Sequence, residues 1–240
     1  MNTNHETTIP AANNSDGFRW QDADAYLFDI DGTLLNTRDL IHYRALNRAM
    51  REVYGVNTTI DGVAYHGKTD LGILRAALER VGVSNPEFQQ KLPQALDVVR
   101  GFVDRYSSAL VPEVCSAIPA LLSRLRSDGK LLGVASGNLE SVGWHKVQAA
   151  GLREFFTFGY FSDHCERREE IFENAAAEAR HRLHANAAVC FIGDTPSDIR
   201  AARHAKARII AVATGVYKVD DLVALGPDAC ISSCADLLHL

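Results

Sequence analysis

Four short apolar runs recur along the 240-residue chain, and each stops abruptly at a small, polar or acidic cluster. Ala25-Tyr-Leu-Phe-Asp-Ile ends at Asp31-Gly32-Thr33, and Leu131-Leu-Gly-Val-Ala135 ends at Ser136-Gly137-Asn138. Ala188-Val-Cys-Phe-Ile192 ends at Gly193-Asp194-Thr195, and the run from Ala207 to Ala213 ends at Thr214-Gly215. Continuous apolar runs of this length, closed by turn residues, predict buried strands. Helical patterns lie between and beside them: Ile118–Asp128 with Leu121, Leu122 and Leu125 on one face, Val142–Ala150, Glu169–Leu183 and Ser197–His204. Strands without alternation that take turns with helices predict an α/β fold whose parallel sheet is covered on both faces. Such sheets bind ligands at the carboxyl ends of their strands, so the four polar endings mark the expected site.

The stretch from about residue 38 to 112 breaks this rhythm. It carries helical patterns over Leu40–Tyr54, Asp70–Val81 and Phe88–Leu110 and no buried strand, which predicts a helical module inserted between the first two strands. The expected organisation is a tail over 1–20, a core built from 21–37 and 113–240, and the helical insertion over 38–112. At roughly 150 residues per domain the length also calls for more than one unit.

Composition narrows the classes of partner. Hydrophobic residues make up 47% and charged residues 23% of the chain, ordinary values for a globular protein. With 25 Lys+Arg against 30 Asp+Glu, the formal net charge is −5; nucleic acid and anionic membranes, which need a basic surface, are not expected partners. No apolar run approaches a membrane span, and the first twenty residues lack the basic and apolar regions of a secretory signal. The five cysteines are scattered without C-x-x-C or zinc spacing, the pattern of reduced core thiols in a cytoplasmic protein. Nothing in the sequence specifies an oligomeric state.

The strand endings carry the candidate chemistry. Asp29 and Asp31 stand two residues apart, before Gly32 and Thr33. Two close carboxylates repel, so a cation or a shared proton is expected, and an all-oxygen set favours Mg²⁺ over zinc. A capped turn with solvated carboxylates is the structural alternative, whereas a calcium loop is not, because Thr33 occupies its third acidic position. Asp194 and Asp198 supply two more carboxylates, although Thr195 or Ser197 capping the next helix would equally account for Asp198. Ser136-Gly137-Asn138 offers a hydroxyl, an amide and open backbone N–H groups suited to phosphate oxygens, and is also common turn chemistry.

Taken in order, FDIDGTLLNT, VASGN and FIGDTPSD resemble the haloacid dehalogenase-like (HAD) hydrolase superfamily over essentially residues 24–240. The resemblance implies a Rossmann-like core with a type 1 helical cap, in the phosphoglycolate phosphatase and β-phosphoglucomutase branch. By that resemblance Asp29 is the nucleophile that becomes an aspartyl-phosphate, and Asp31 is the general acid and base. Mg²⁺ would be held by Asp29, the backbone carbonyl of Asp31 and Asp194, with Asp198 supporting that shell. Thr33, Ser136, Gly137 and Asn138 would contact the phosphoryl group, and His66, Lys68 and Thr69 of the cap would face the substrate.

The sequence departs from the family where a lysine usually precedes the last acidic motif. Ser162-Asp-His-Cys-Glu-Arg-Arg-Glu169 contains none; Arg167 is the expected substitute, with Arg168 next to it, since arginine keeps its charge and donates several hydrogen bonds. Lys146 is the other candidate, but its helical stretch suggests an exposed face. Asp31 argues against a dehalogenase, because dehalogenating members lack that carboxylate. The implied activity is Mg²⁺-dependent hydrolysis of a small phosphorylated molecule. The alternatives are a phosphomutase, a phosphonatase using Lys68, and a non-catalytic phosphate-binding protein.

Overall fold

The computed structural model describes residues 19–238. The tail expected over 1–20 therefore lies almost wholly outside the described residues. Trp20, assigned to it, is instead buried against Tyr26, with ring centroids 6.3 Å apart.

The four apolar runs fold as β1 (Ala25–Phe28), followed after the insertion by β4 (Leu131–Ala135), β6 (Val189–Gly193) and β7 (Arg208–Val212). Four three-residue strands, too short to show a period, complete the set: β2 (Leu35–Thr37), β3 (Pro112–Val114), β5 (Phe158–Tyr160) and β8 (Ala229–Ile231). Six of the eight form one parallel sheet in the order β5-β4-β1-β6-β7-β8, while β2 and β3 pair antiparallel on their own. β1 lies at the centre, in register with β4 from Ala25↔Leu131 and with β6 from Ala25↔Val189. The strand order reverses there, so crevices open at the carboxyl ends of β1, β4 and β6.

Alternation along the strands supplies both faces of the sheet. Tyr26, Phe28, Val134 and Ile192 point into one core with α4 (Ile118–Ser127) and Val147 of α5 (Glu140–Ala149). Leu27, Phe191, Ile209 and Ala211 point into the other, with α6 (Arg168–Arg182) and α7 (Pro196–His204). A short α8 (Val219–Val223) precedes β8.

The insertion folds as α1 (Ile41–Tyr54), α2 (Asp70–Glu79) and α3 (Asn85–Tyr106), packed around an apolar core of their own. Tyr54 stacks on Phe88 across it, and Leu139 and Val142 of the core domain extend it downward. The helical layer is thereby seated on the N-terminal end of α5, over the carboxyl ends of the strands. Among the described residues, no helix is long and apolar enough to cross a membrane.

Candidate active site

Asp29 is the residue at which β1 leaves the sheet, its N–H still donating to the Ile192 carbonyl at 3.0 Å. That places its carboxylate at the tip of the central strand, 4% exposed. Asp194 follows β6 and Ser136 follows β4 in the same way, so the three tips converge by topology alone. Asp198 arrives from the first turn of α7. Thr195 caps that helix, its hydroxyl accepting from the Asp198 N–H, while Asp198 Oδ2 accepts from the Thr195 N–H at 2.9 Å. The capping reading of Asp198 is thus realised, and Pro196 at the first helical position favours it.

One oxygen from each of Asp29, Asp194 and Asp198 lies within 4.8 Å of the others. Asp29 Oδ1 is buried without a hydrogen-bond partner, an orphan whose desolvation must be met by a cation or an incoming electrophile. An all-oxygen set of this kind fits a hard divalent cation. The space beside Asp194 is made by glycines: a Cβ on Gly215 would stand 1.8 Å from Asp194 Oδ2, and one on Gly32 (φ +87°) 2.3 Å from it.

The cation among these carboxylates is Arg168. It is buried, with Nε donating to Asp198 Oδ1 at 2.7 Å and Nη2 standing 2.8 Å from Asp29 Oδ2 as an ion pair. Arg167, the expected substitute for the family lysine, points outward, 63% exposed, and pairs with Glu170 at 3.1 Å. The helix explains the exchange. Arg168 is in phase with Ile171, Phe172, Ala175, Ala176 and Ala179, the buried stripe of α6, whereas Arg167 is the N-cap and lies off that stripe.

Asp31 turns away from the carboxylate cluster, leaving only its backbone carbonyl as the metal donor implied by resemblance. Its two oxygens accept from Lys146 Nζ at 2.9 and 2.8 Å and from Asn138 Nδ2 at 2.7 Å, with Thr37 Oγ1 at 3.3 Å. Lys146 is buried, not on an exposed face. Val142, Gly143 and Val147 are the other buried positions of α5, and Lys146 falls in phase with them. A buried lysine calls for a buried acceptor, and with only Val142 and Val147 as apolar side chains on that face the sequence of α5 gives little sign of it.

Electrostatics follow the geometry. Burial raises the Asp29 and Asp194 carboxyls, and repulsion between neighbouring carboxylates adds to it; Arg168 only partly opposes both shifts. For Asp31 desolvation also pushes upward, but the Lys146 charge and the hydrogen bonds from Lys146 and Asn138 win and hold it below the ordinary range. Burial lowers the Arg168 pKa, yet Asp198, Asp29 and Asp194 outweigh it and raise it further. One guanidinium against three carboxylates leaves a net negative centre that favours either protons or a metal ion.

A cleft of about 610 Å³ opens above the cluster, lined by Asp29, Asp31, Ser136, Gly137, Asn138, Arg168 and Asp194 from the core. His66 and Lys68 line it from the helical layer and are exposed. The remaining expected contacts differ. Thr33 is fully buried outside the cleft lining and donates to Asp194 Oδ1 at 3.2 Å, so its hydroxyl steadies a carboxylate of the cluster. Thr69 is also buried outside the lining: its hydroxyl caps α2 and donates to the Glu166 carbonyl at 2.6 Å. Asn138 borders the cleft, but its amide is spent on Asp31, Ser136 and Lys146.

The layer is closed onto the core by direct bonds. The Asp70 N–H donates to the Gly137 carbonyl, and Asp70 Oδ2 accepts from the Leu139 N–H, both at 2.8 Å. Arg75 grips the Glu166 carboxylate with Nε and Nη2, and Arg100 reaches Asp163 at 2.7 Å. Of the cysteines, Cys115, Cys190, Cys230 and Cys234 are buried free thiols and Cys165 is partly buried, none of them in the cleft lining.

A sequence profile described as "Haloacid dehalogenase-like hydrolase" matches residues 26–212. The pyrophosphatase PpaX of Anoxybacillus flavithermus is 26% identical over 217 residues, covering 89% of this chain and 94% of the relative. The phosphoglycolate phosphatase of Synechococcus elongatus is 28% identical over 218 residues, covering 90% and 95%. Among solved structures, CbbY from Rhodobacter sphaeroides in complex with phosphate superposes with a TM-score of 0.68 at 20% identity, covering 90% of this chain and 96% of that one; the likeness is one of fold.

Proposed function

Because the chain belongs to the haloacid dehalogenase-like hydrolase family, we propose that it is a phosphatase hydrolysing a small organic phosphate monoester through an aspartyl-phosphate on Asp29. The observation that carries this reading is the Asp29 carboxylate itself. One oxygen is paired to Arg168, and the other is buried, unpartnered and at the tip of the central strand.

In the first half-reaction Asp29 Oδ1 attacks phosphorus while the ester oxygen departs with a proton from Asp31. In the second, Asp31 takes a proton from water, which attacks the phosphorus and releases inorganic phosphate with Asp29 regenerated. The lowered pKa of Asp31 keeps it ionised and ready to take the proton in the second half-reaction, whereas the first requires the proton to be on it. Arg168 offsets the charge that would otherwise keep a dianionic phosphate from a carboxylate nucleophile. Asp29, Asp194 and the Asp31 carbonyl, backed by Asp198, would hold Mg²⁺, which supplies charge neutralisation to the phosphoryl oxygens. Residues 38–112 act as a cap that keeps bulk water from the reacting groups.

His66 and Lys68 offer basic contacts at the mouth, and Leu40, Tyr65 and Val216 present exposed apolar surface there. A panel of phosphoglycolate, sugar phosphates, nucleoside monophosphates and benzyl phosphate spans the leaving groups that such a mouth accepts. The test is release of inorganic phosphate from that panel in Mg²⁺ and in EDTA. Release should require Mg²⁺ and vanish in Asp29→Asn while the melting temperature stays within a few degrees. Turnover retained by Asp29→Asn refutes the mechanism. Isomerisation of a sugar phosphate without net phosphate release would identify a mutase instead.

A further inference from the structure

A second cleft, of about 590 Å³, opens at the opposite end of the sheet from Asp29. Val189 and Arg208, the first residues of β6 and β7, line it, so it lies at the amino ends of the strands. Four basic side chains line it, Arg180 of α6, Arg203 of α7, Lys206 and Arg208, against one carboxylate, Asp228. Asp228 is already committed: Oδ1 meets Arg208 Nη1 at 2.8 Å, and Oδ2 accepts from the Ile209 N–H at 2.9 Å. Asp24, which accepts from the Ala188 N–H at 2.8 Å, stands outside the lining. The other three cations meet no carboxylate among the described residues. Arg180 Nη2 donates to the Lys206 carbonyl at 3.1 Å, and Arg203 Nη2 donates to the Leu225 and Gly226 carbonyls at 2.5 and 2.6 Å. The Lys206 ammonium is exposed and has no partner among the described residues. A neutral carbonyl fixes a guanidinium in place without cancelling its charge.

Helix ends account for part of this charge. Arg180 and Arg203 lie in the last turns of α6 and α7, where a cation complements the macrodipole. Lys206 and Arg208 lie beyond α7 and are not explained in that way. Lys206 moreover stands at φ +51°, a left-handed position after a helix where glycine is the usual residue. The whole chain carries a formal net charge of −5, so three cations without acidic partners in one concavity run against its composition. We propose that this cleft binds an oligophosphate anion, a chain of at least two phosphates that is either inorganic or borne by a nucleotide. Guanidinium forks and an ammonium group suit phosphate oxygens, and cations drawn from α6, α7 and the start of β7 span more than a single phosphate. No aromatic side chain lines the cleft to stack on a base, so the phosphates carry the recognition. A nucleic-acid strand is disfavoured by the net negative charge of the chain. The site is separate from the acidic cluster and does not rest on the phosphatase reading.

Calorimetric titration of tripolyphosphate into the full chain tests this. EDTA is present throughout, because without Mg²⁺ the acidic cluster at the far end of the sheet repels the probe. One tripolyphosphate should bind per chain, and its affinity should fall as added salt screens the cations. Lys206→Gly should weaken binding by roughly tenfold or more, the share of one charge-assisted hydrogen bond. The same variant without ligand should melt at or above the wild-type temperature, since glycine suits the left-handed backbone there. Lys206→Gln should weaken binding to a similar extent, and Lys206→Arg should keep it. Lys68→Ala, at the mouth of the other cleft, should leave it unchanged. ATP titrated beside the inorganic probe separates the two sources by which of them binds more tightly. The proposal is overturned by an absence of saturable binding, or by binding that Lys68→Ala removes and the Lys206 variants do not. Inorganic phosphate binding as tightly as tripolyphosphate overturns it as well.

Discussion

Replacing Arg168 by Met removes the guanidinium standing between Asp29 and Asp198, which it meets at 2.8 and 2.7 Å with 6% of its side chain exposed. Breaking a buried pair in this way strands the surviving charges, at a cost of roughly 3–5 kcal/mol. Asp29 and Asp194 already favour protonation because of burial and mutual repulsion, so proton uptake relieves part of that cost near neutrality and the lower figure is expected. For a chain of this size about 3 kcal/mol is a fall of roughly 6–12 °C in melting temperature. The effect on turnover is separate. Loss of a charged donor aimed at the reacting centre costs roughly 2.7–4 kcal/mol of transition-state stabilisation, a drop of about 10²–10³.

Arg167→Ala provides the contrast one residue away. Its pair with Glu170 is solvent-exposed on both sides, and such pairs contribute less than about 1 kcal/mol; melting temperature and kcat/KM should stay close to wild type. The assay is phosphate release from the best substrate of the panel, read beside thermal melts of the three proteins at one pH. If Arg167→Ala were as damaging as Arg168→Met, or Arg168→Met retained activity within a few-fold, the assignment of Arg168 as the counter-charge to Asp29 would be wrong.

Two further outcomes follow from the carboxylate cluster. In EDTA, the raised carboxyls of Asp29 and Asp194 mean that the folded protein binds more protons than the unfolded chain. Their contribution to stability is therefore present at low pH and lost as pH rises above the ordinary carboxylate range, and Mg²⁺ should raise the melting temperature more at about pH 8 than at about pH 5. An equal Mg²⁺ effect at both, or a larger one at low pH, would contradict the cluster's role. Gly215→Ala should push the Asp194 carboxylate aside, because the new Cβ would lie 1.8 Å from Oδ2, raising the Mg²⁺ requirement by roughly 10–100-fold. Gly101→Ala in α3, where a Cβ meets nothing within 4 Å, should instead stabilise by about 0.5–1 kcal/mol, and a thermal melt separates the two.

The legible parts of this protein are those governed by local pattern. β1, β4, β6 and β7 were visible because a strand buried on both faces must be apolar throughout, and the helices because their stripes repeat at helical spacing. Arg168 and Lys146 are each in phase with positions that the fold buries, but α5 and α6 carry almost no apolar periodicity of their own, so the inward direction of these two charges is not legible in the local pattern. The family resemblance points to Arg167, and a lysine within a helical stretch is ordinarily solvated; packing reverses both. β5 and β8 escaped because a three-residue strand has no period; they exist through pairing with β4 and β7.

The α/β class, the helical insertion and the acidic strand tips are legible along the chain, since they depend on neighbours a few residues away. Which charge meets which depends on how distant segments cross. Asp31 and Lys146 are 115 positions apart, and their meeting depends on where α5 crosses the end of β1. Thr33 and Thr69 carry the same hydroxyl that a phosphate contact would use, yet packing commits one to Asp194 and the other to a helix cap. Local pattern sets the direction in which a side chain leaves the backbone; its partner is set by the path of the rest of the chain.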